Sequence, residues 1–383
     1  MHSVRATIAA LSANLVAIGL ARFGYTPLIP ALIAAGWFRP SAAVYLGAAN
    51  LAGYLAGAIA ARRVGKVLGA ATTLRGAMAL TVASLLACAF PFGFAWYFLW
   101  RFVSVLTGGA AMALAAPTVL AHLPPKRRAI AGGAVFTGVG LGIAASGTLV
   151  PALVAWGIQE AWIGLAAVAL ALTVITWRDW PHEAPPVAAA PPPQPSGALR
   201  ALYLEYALNA VGQVPHMVFL VDFIARGLGR GLVAGGQYWT VFGIGAVIGP
   251  LIGGHLGGRF GFRPVLRACF AWQAACVALL LVATSGPALL VSSFVVGASV
   301  PGSVAIVIGR THELIPHDPA RQAAAWSYCT LAFAIGQAIA GYGYSYIFAH
   351  STDGYPVIFA LGACAMLAGL AVDFAVGRRR QGS

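Results

Sequence analysis

Residues 245–261 read GAVIGPLIGGHLGGRFG, with a glycine at every fourth position. Residues 49–65, ANLAGYLAGAIAARRVG, carry Ala or Gly at the same steps, 196 positions earlier (249 − 53 = 196). Arg63 and Arg259 share this offset. Small residues four apart make a flat helix face that another backbone can approach closely. One such stripe is typical of plain packing, but the matched pair indicates two repeats in the same orientation.

The composition predicts a membrane protein. Of 383 residues, 60% are hydrophobic and 8% are charged, whereas soluble proteins contain about 25% charged residues. The apolar residues form runs of about 18 or more, which cross membranes as helices because hydrocarbon offers the backbone no other hydrogen-bond partner. We therefore predict an all-α integral membrane protein embedded in a lipid bilayer.

Twelve transmembrane helices are predicted, in two six-helix repeats around a central cavity. The spans lie near residues 7–35, 41–61, 70–90, 94–121, 129–154, 160–178, 199–224, 233–257, 264–284, 287–309, 321–348 and 355–376. A Pro- and Ala-rich stretch follows the sixth span and is typical of an extended spacer. This predicts a first half at 1–178, a cytoplasmic linker at 179–198 and a second half at 199–383.

The basic residues cluster in alternate loops, which sets the orientation. By the positive-inside rule, both termini and the linker are cytoplasmic, and we expect a bacterial inner membrane. The net charge of +14 is explained by this topology, so no nucleic-acid partner is expected. The basic residues that carry the argument are Arg62, Arg63, Lys66, Lys126, Arg127, Arg128, Arg178, Arg200, Arg259, Arg263, Arg310, Arg321, Arg378, Arg379 and Arg380.

Several classes of chemistry find no motif in the sequence. The five cysteines lie in apolar segments without a CxxC pair, so neither a disulfide nor a metal site is expected. There is no GxxxxGK[ST] phosphate loop for ATP and no convergent catalytic set. We expect no enzyme activity, no cofactor and a monomer, with a small-molecule substrate and with protons as the candidate coupling ion.

Four stretches resemble motifs of the major facilitator superfamily of secondary transporters. Residues 254–263, GHLGGRFGFR, resemble its signature G-x-L-a-D-R-x-G-R-R, and residues 58–66, AIAARRVGK, are a degraded copy. Residues 101–109, RFVSVLTGG, are similar to its fourth-span pattern of arginine and glycines. Residues 138–151, GVGLGIAASGTLVP, resemble its Gly-rich fifth-span motif. The resemblance implies alternating-access transport across a membrane.

Three further stretches resemble the YbfB/YjiJ-type branch of that superfamily. They are ARFGYTPLIPAL at residues 21–32, GYLAGA at 53–58 and YALNAVGQVPHMVFL at 206–220. Together with the four motifs above, they spread the resemblance over essentially the whole chain. It implies fold and transport and says nearly nothing about the substrate.

The resemblance also implies gating positions on the cytoplasmic side. These are Arg63, Gly65, Arg259 and Gly261. The signature's acidic residue, thought to help latch the cytoplasmic side in the superfamily, is replaced by Arg62 and Gly258. In the loop after the tenth span, Glu313 belongs to a charged cluster that we predict to form helix-end salt bridges and to stabilise one gating state.

Arg22 interrupts the first span, within LARFGYTPLIP at residues 20–30. An ionised side chain near the bilayer centre costs about 2.5–3.5 kcal/mol on insertion scales, so it is tolerated only beside a wet cavity or a partner. Arg22 is either a structural residue held by carbonyls or a carboxylate, or a fixed charge in a substrate cavity near the midplane. We favour the cavity, where a guanidinium would bind a carboxylate with two hydrogen bonds.

Arg101 lies about two turns into the fourth span. It either faces the cavity with Arg22 or extends to the outer surface. The polar residues also predicted to face the cavity are Asn14, Tyr25, Thr26, Asn50, Tyr54, Tyr328 and Gln337. Aromatic residues near span ends are predicted as interfacial anchors, namely Trp96, Tyr97, Trp100, Trp156, Trp162 and Tyr355.

The seventh span carries a polar stripe formed by Glu205, Asn209, Gln213 and His216. Their spacings of four, four and three residues place them on one helix face. Each amide alone is typical of a cross-link between helices, but together the stripe indicates a wet surface, so Asn209, Gln213 and His216 are predicted to bind substrate. Glu205 is the first candidate for proton coupling and His216 the second, because imidazole titrates near neutrality. Alternatively, Glu205 is an interfacial residue paired with Arg200.

The favoured function is secondary active transport of a small organic solute, an anion such as a carboxylate, with protons as a candidate coupling ion. Two alternatives remain open. The thin supply of polar cavity residues fits efflux of apolar or cationic drugs, and a non-transporting receptor would keep the same fold and cavity.

Overall fold

The long apolar runs form long helices. The computed structural model describes residues 2–181, 196–351 and 354–381. Within these residues there is no β-strand, and twelve helices are long and apolar enough to cross a membrane. Numbered α1 to α12, they are Val4–Ala34, Pro40–Leu68, Ala70–Ala87, Phe94–Leu120, Pro125–Val154, Ile158–Thr176, Gly197–Gly227, Gly231–Phe260, Phe262–Val282, Gly286–Leu314, Pro319–His350 and Gly354–Gln381.

The predicted all-α membrane fold is confirmed. Each predicted span overlaps one of the twelve helices, and most ends agree to within about one helical turn. The largest difference is at α2, predicted to end at 61, which continues to Leu68 because its basic residues extend the helix beyond the apolar run. Residues 182–195 of the predicted linker lie outside the described residues.

Glycines with positive φ end α2 and α8. They are Gly69 with φ of 82° and Gly261 with φ of 86°, a left-handed region that favours glycine. Gly65, the predicted counterpart of Gly261, lies inside α2. The second span was predicted to end at 61, and that end is wrong, since α2 continues to Leu68. With the offset of 196 applied, α2 ends about one turn later than α8, so its turn is made at Gly69.

The contacts divide the described residues into two compact units. Unit 1 contains the residues up to 181 together with Met217–Val247, and unit 2 contains residues 196–216 and those from Ile248 onward. The later part of α7 and the first part of α8 belong to unit 1 because they pack on its helices. For example, a Cβ on Gly147 of α5 would meet the hydroxyl and backbone of Thr240 in α8. The contact units and the predicted sequence halves therefore divide α7 and α8 differently.

The two small-residue stripes are packing faces in both units. In unit 1, a Cβ on Gly57 would collide with the carbonyl of Leu106, so α2 and α4 pack backbone to backbone. In unit 2, Gly249 approaches the carbonyl of Ala298 in the same way, between α8 and α10. The repeated sequence pattern thus forms an equivalent helix pair in each unit. In both pairs a glycine, which has no side chain, lets the two backbones come into contact.

We predict that Gly249→Ala destabilises the protein by about 1–3 kcal/mol, because the added methyl group meets backbone that cannot move aside. Gly254→Ala in the same helix is the matched control, since a Cβ there meets nothing within 4 Å, and alanine is the better helix former. Thermal unfolding midpoints in detergent would measure both changes. Equal midpoints for the two variants would contradict the proposed packing.

Candidate functional site

A small cavity lies in unit 1 beside the C-terminal part of α1. Its free volume is about 10 Å³, which is room for about one water molecule. Among the ten described residues that line it, Arg22 is the one charged residue. The lining consists of Arg22, Phe23, Tyr25, Thr26, Ile29, Gly47, Asn50, Leu51, Met217 and Val218.

Both long elements of this wall are wound more widely than an α-helix. In α1 the segment Leu15–Phe23 is a π-helix, and in α7 the segments Pro215–Phe219 and Phe223–Gly227 are π-helices. Such segments are rare and occur frequently at functional sites. The winding of α7 changes at Pro215, a proline within the span.

Side chains from neighbouring helices bind carbonyl groups of these widened segments. The hydroxyl of Thr26 donates to the Met217 carbonyl at 2.6 Å. The guanidinium of Arg101 donates to the Ala21 carbonyl. These two hydrogen bonds tie the widened segments to the rest of the wall and hold its shape.

Arg22 lies on the cavity wall at the end of the widened segment. Its side chain is 7% exposed, and its guanidinium carbon lies 4.7 Å from the ring centroid of Tyr54 and 5.0 Å from that of Phe23. Aromatic faces at these distances stabilise a cation. Arg22 therefore contributes a fixed positive charge to this wall. Direct contact with a substrate stays a prediction.

Arg101 is fully buried in unit 1, so the predicted extension to the outer surface is wrong. Its Nε donates to Asn50 Oδ1 at 3.0 Å, and its guanidinium lies 4.7 Å from the Tyr25 ring centroid and 5.6 Å from that of Trp162. Arg101 is also outside the cavity lining, so it contacts the wall from behind. Its predicted role in binding substrate directly has no support in this arrangement.

Two of the aromatic residues predicted as interfacial anchors belong to the same buried cluster. Tyr97 and Trp162 are fully buried, with ring centroids 6.1 Å apart. Their anchor role is wrong because an ionised arginine inside the bundle needs aromatic faces and acceptors around it. The anchor prediction was based on their positions near span ends, and position in the sequence does not show that a side chain packs near Arg101.

The other polar residues predicted to face a cavity lie in different environments. The Tyr25 hydroxyl, on the cavity wall, donates to the Ala43 carbonyl at 2.8 Å. Asn14 cross-links α1 to α5 through Val135, at 3.0 Å, away from the lining. Gln337 is buried, and Tyr328 is 44% exposed.

In unit 2 the predicted stripe of α7 is buried rather than wet. Gln213 Nε2 donates to Asn209 Oδ1 and to Gln273 Oε1, both at 2.9 Å. Ser292 donates to the Cys276 carbonyl, so it accepts from His216 Nε2 at 2.8 Å. In this arrangement Nε2 of His216 carries a proton and is the donor.

Three atoms of this stripe have no hydrogen-bond partner among the described residues. They are Asn209 Nδ2, Gln213 Oε1 and His216 Nδ1. An orphaned buried polar atom costs about 1–3 kcal/mol, and natural proteins keep few of them. Their role in substrate binding stays a prediction.

Glu205 lies in a charged pocket of unit 2. It lines this pocket together with Arg263, Arg310 and Asp373. Arg200 is not part of the lining, so the alternative pairing of Glu205 with Arg200 is not found. The pocket brings two carboxyl groups and two guanidinium groups together, which gives Glu205 charged neighbours on three other helices.

Asp373 organises this pocket, and the sequence analysis missed it. Arg263 Nε donates to its carboxylate at 2.9 Å, and Arg267 forms a second ion pair with it. The signal available in the sequence was weak, because Asp373 lies near a span end where a charged residue is unremarkable. Only the fold brings it to α9.

The predicted gating residues occupy different environments. Arg63 and Arg259 are exposed, and Arg259 lies over the Phe260 ring at 5.2 Å. Glu313 accepts from the Phe262 backbone N–H at 2.7 Å and pairs with Arg310 at 2.7 Å. The carboxylate of Glu313 therefore holds the turn at Gly261, next to the position where the signature's own acid is absent.

A buried acid in α7 was also missed. Asp222 is fully buried in unit 1, and both of its oxygens accept from Arg226, at 3.1 and 3.2 Å. The signal was present in the sequence, since the two residues are four apart and therefore adjacent on a helix face. Asp222 lies one turn beyond Val218 of the cavity lining.

The fold is similar to that of several solved transporters. A crystal structure of a D-xylose-proton symporter matches at a TM-score of 0.74 with 14% identity, over 97% of both chains. A bacterial homologue of the human lysosomal transporter Spinster, inward-facing and occupied, matches at 0.72 with 15% identity, over 97% of this chain and 96% of that one. The partially occluded xylose transporter XylE from E. coli matches at 0.74 with 12% identity, over 97% and 96%.

The chain belongs to the family MFS_4, described as "Uncharacterised MFS-type transporter YbfB", which matches residues 14–373. No curated protein matches it. The predicted resemblance is confirmed, and the family and fold are those of transporters rather than enzymes. The protein is thus a multi-pass membrane protein of a secondary-transporter family.

We predict that Asp373→Asn lowers stability by about 1.5–3 kcal/mol, because two guanidinium groups lose a charged acceptor. Asp318→Asn is the control. The side chains of its ion pair with Arg321 are 54% and 39% exposed, and such pairs contribute less than about 1 kcal/mol. Asparagine also keeps the acceptor that caps α11.

Thermal unfolding of the two variants in detergent would compare these losses. If Asp373→Asn shifted the midpoint no more than Asp318→Asn, Asp373 would not organise the pocket.

Proposed function

We propose that the protein is a secondary active transporter that moves a small organic anion, such as a carboxylate, by alternating access. The observation that carries this proposal is the position of Arg22 on a cavity wall in the membrane-spanning part of unit 1. A guanidinium keeps its charge at physiological pH and binds a carboxylate through two parallel hydrogen bonds.

The charge of the wall favours an anion over a cationic drug. Among the described lining residues no side chain is acidic, and the charged one is positive. A cation in this space would meet the charge of Arg22 at short range, and low polarity strengthens that repulsion. Efflux of cationic drugs is therefore the weaker proposal.

Protons are our proposed coupling ion, and Glu205 is the proposed carrier. Its carboxyl lies in a pocket at the cytoplasmic end of unit 2 with Arg263 and Arg310. Two nearby guanidinium groups stabilise the carboxylate form, so a change in their position would change how firmly Glu205 holds a proton. The fold is shared with a proton symporter.

We also propose the setting in which the transporter works. The basic loops support an orientation with both termini in the cytoplasm of a bacterial cell, with the protein in the inner membrane. The chain is proposed to act as a monomer. Cytoplasmic gating is assigned to Arg63, Arg259 and the turn at Gly261. The contacts of Glu313 with Phe262 and Arg310 support this assignment.

Arg22→Gln tests the anion proposal. At concentrations of about 100 times Kd, a ligand stabilises the folded state by about 2.7 kcal/mol. We expect benzoate, butyrate or succinate to raise the melting point of the wild type but not of Arg22→Gln. Arg22→Lys should be intermediate, because lysine keeps the positive charge but cannot bind a carboxylate through two parallel hydrogen bonds.

Tetraphenylphosphonium is the matched cationic probe in this experiment. Stabilisation by the cation alone, equal in wild type and Arg22→Gln, would overturn the anion proposal and favour drug efflux.

Glu205→Gln tests proton coupling in proteoliposomes that contain a trapped pH-sensitive dye. We expect the variant to lose carboxylate-driven proton movement and to keep exchange of labelled carboxylate for unlabelled carboxylate, because exchange needs no net proton transfer. Protein-free vesicles correct for passive entry of the acid. Glu160→Gln is the control, since Glu160 is exposed at the start of α6, and proton movement lost equally in both variants would remove Glu205 from the mechanism.

A further inference from the structure

The cavity wall of unit 1 presents donors to the cavity on an otherwise apolar lining. The hydroxyl hydrogens of Tyr25 and Thr26 are already directed to the carbonyls of Ala43 and Met217. The other polar side chains of the lining are Arg22, whose guanidinium carries five N–H donors, and Asn50. The rest of the lining is Phe23, Ile29, Gly47, Leu51, Met217 and Val218.

Arg101 fixes which atom of the Asn50 amide is turned to the cavity. A guanidinium only donates, so the atom 3.0 Å from Arg101 Nε must be the oxygen. Arg101 therefore leaves the amide nitrogen Nδ2 for another acceptor, and Asn50 lines the cavity. Asn50 thus offers an N–H donor to the cavity, next to a guanidinium that also offers only donors.

Arg101 holds Arg22 as well. Its guanidinium donates to the carbonyl of Ala21, the residue directly before Arg22. A single buried side chain therefore fixes the backbone beside one donor and the amide that carries the other. The faces of Tyr25 and Trp162, at 4.7 and 5.6 Å, hold that side chain in turn.

From this geometry, and resting on the proposed function, we propose that the substrate is an organic monocarboxylate with an apolar body. Arg22 and Asn50 bind its carboxylate, and Arg101 is a positioning residue that aims both donors. A wall with one positive charge matches one negative charge. A second carboxylate or a set of hydroxyl groups would be buried against apolar side chains without partners, which is costly.

Binding titrations on the purified protein in detergent test the substrate class. The probes are butyrate, its four-carbon dicarboxylate counterpart succinate and its neutral counterpart butyramide, with benzoate as a bulkier monocarboxylate. We expect the tighter of butyrate and benzoate to bind at least about 10-fold more tightly than succinate and butyramide, since a lost hydrogen bond to a charged group is worth about that factor.

Asn50→Asp separates a donor role from a structural one. Aspartate keeps an oxygen for Arg101 and so keeps the buried contact, but it replaces the N–H donor with a second acceptor. We expect the variant to unfold at or above the wild-type temperature and to bind the monocarboxylate at least about 10-fold more weakly. Unchanged affinity would remove Asn50 from the site.

The positioning role of Arg101 is tested by non-additivity. Asn50→Leu and Arg101→Lys should each weaken binding about 10-fold or more, and the double variant should bind no more weakly than the poorer single one. Asn14→Leu is the control for buried asparagines, because Asn14 bonds to Val135 away from the cavity. It should lower the melting point without changing affinity.

The outcomes distinguish this inference from the function on which it rests. Absence of any Arg22-dependent carboxylate binding would overturn both. Arg22-dependent binding in which succinate equals butyrate would overturn the monocarboxylate class and leave the anion transporter standing. Additive losses in the double variant would overturn the positioning role of Arg101. If Arg101→Lys does not fold, Asn50→Asp and Asn50→Leu still decide whether the second donor exists.

Discussion

A charge that cannot be lost, held inside an apolar bundle, is the constraint around which unit 1 is organised. The guanidinium of Arg101 is fully buried and stays ionised at physiological pH. It must therefore find acceptors and aromatic faces within reach, and it finds them on α1, α2 and α6. Those helices could not shift independently without exposing the charge to hydrocarbon. The positions of the cavity wall, of Asn50 and of the backbone beside Arg22 follow from this requirement.

Unit 2 meets a comparable constraint with a different solution. Gln213 and His216 on α7 bond to an amide and a hydroxyl of other helices, although three polar atoms of the stripe have no partner among the described residues, and charged residues are gathered around Asp373. Opposite charges are paired there because an isolated charge at that depth would be expensive. The two units repeat the same backbone packing, yet their polar chemistry differs. Repetition of a fold does not require repetition of a site.

The fold was predictable from the sequence because its signals are local. The apolar runs, the stripe from Gly245 to Gly261 and its copy 196 positions earlier are visible without any contact information. The same holds for Arg22, which stands out in its run, and for the change of winding at Pro215. The missed turn at Gly69 has a local cause too. The pattern of small residues ends at Gly65, while the helix, which needs only its own hydrogen bonds, continues.

The site was harder to predict because its partners come from distant segments. Arg101 interacts with groups up to 80 residues away along the chain, and nothing in its own span indicates that Asn50 would receive its hydrogen bond. The α7 stripe shows the opposite case: its face was predicted, but its surroundings were not, since Gln273 and Ser292 come from α9 and α10. Asp222 and Arg226 are a different miss, because their four-residue spacing was readable.

The glycine contacts carry a consequence for motion. Where Gly57 meets the Leu106 carbonyl and Gly249 meets the Ala298 carbonyl, no side chain lies between the helices that might change its rotamer and absorb a displacement. Sliding or rotating one helix of such a pair would drive backbone into backbone. At these two contacts, α2 with α4 and α8 with α10 are therefore held rigidly against each other. A rearrangement during a transport cycle has to spare these contacts, and the widened segments of α1 and α7 lie outside them.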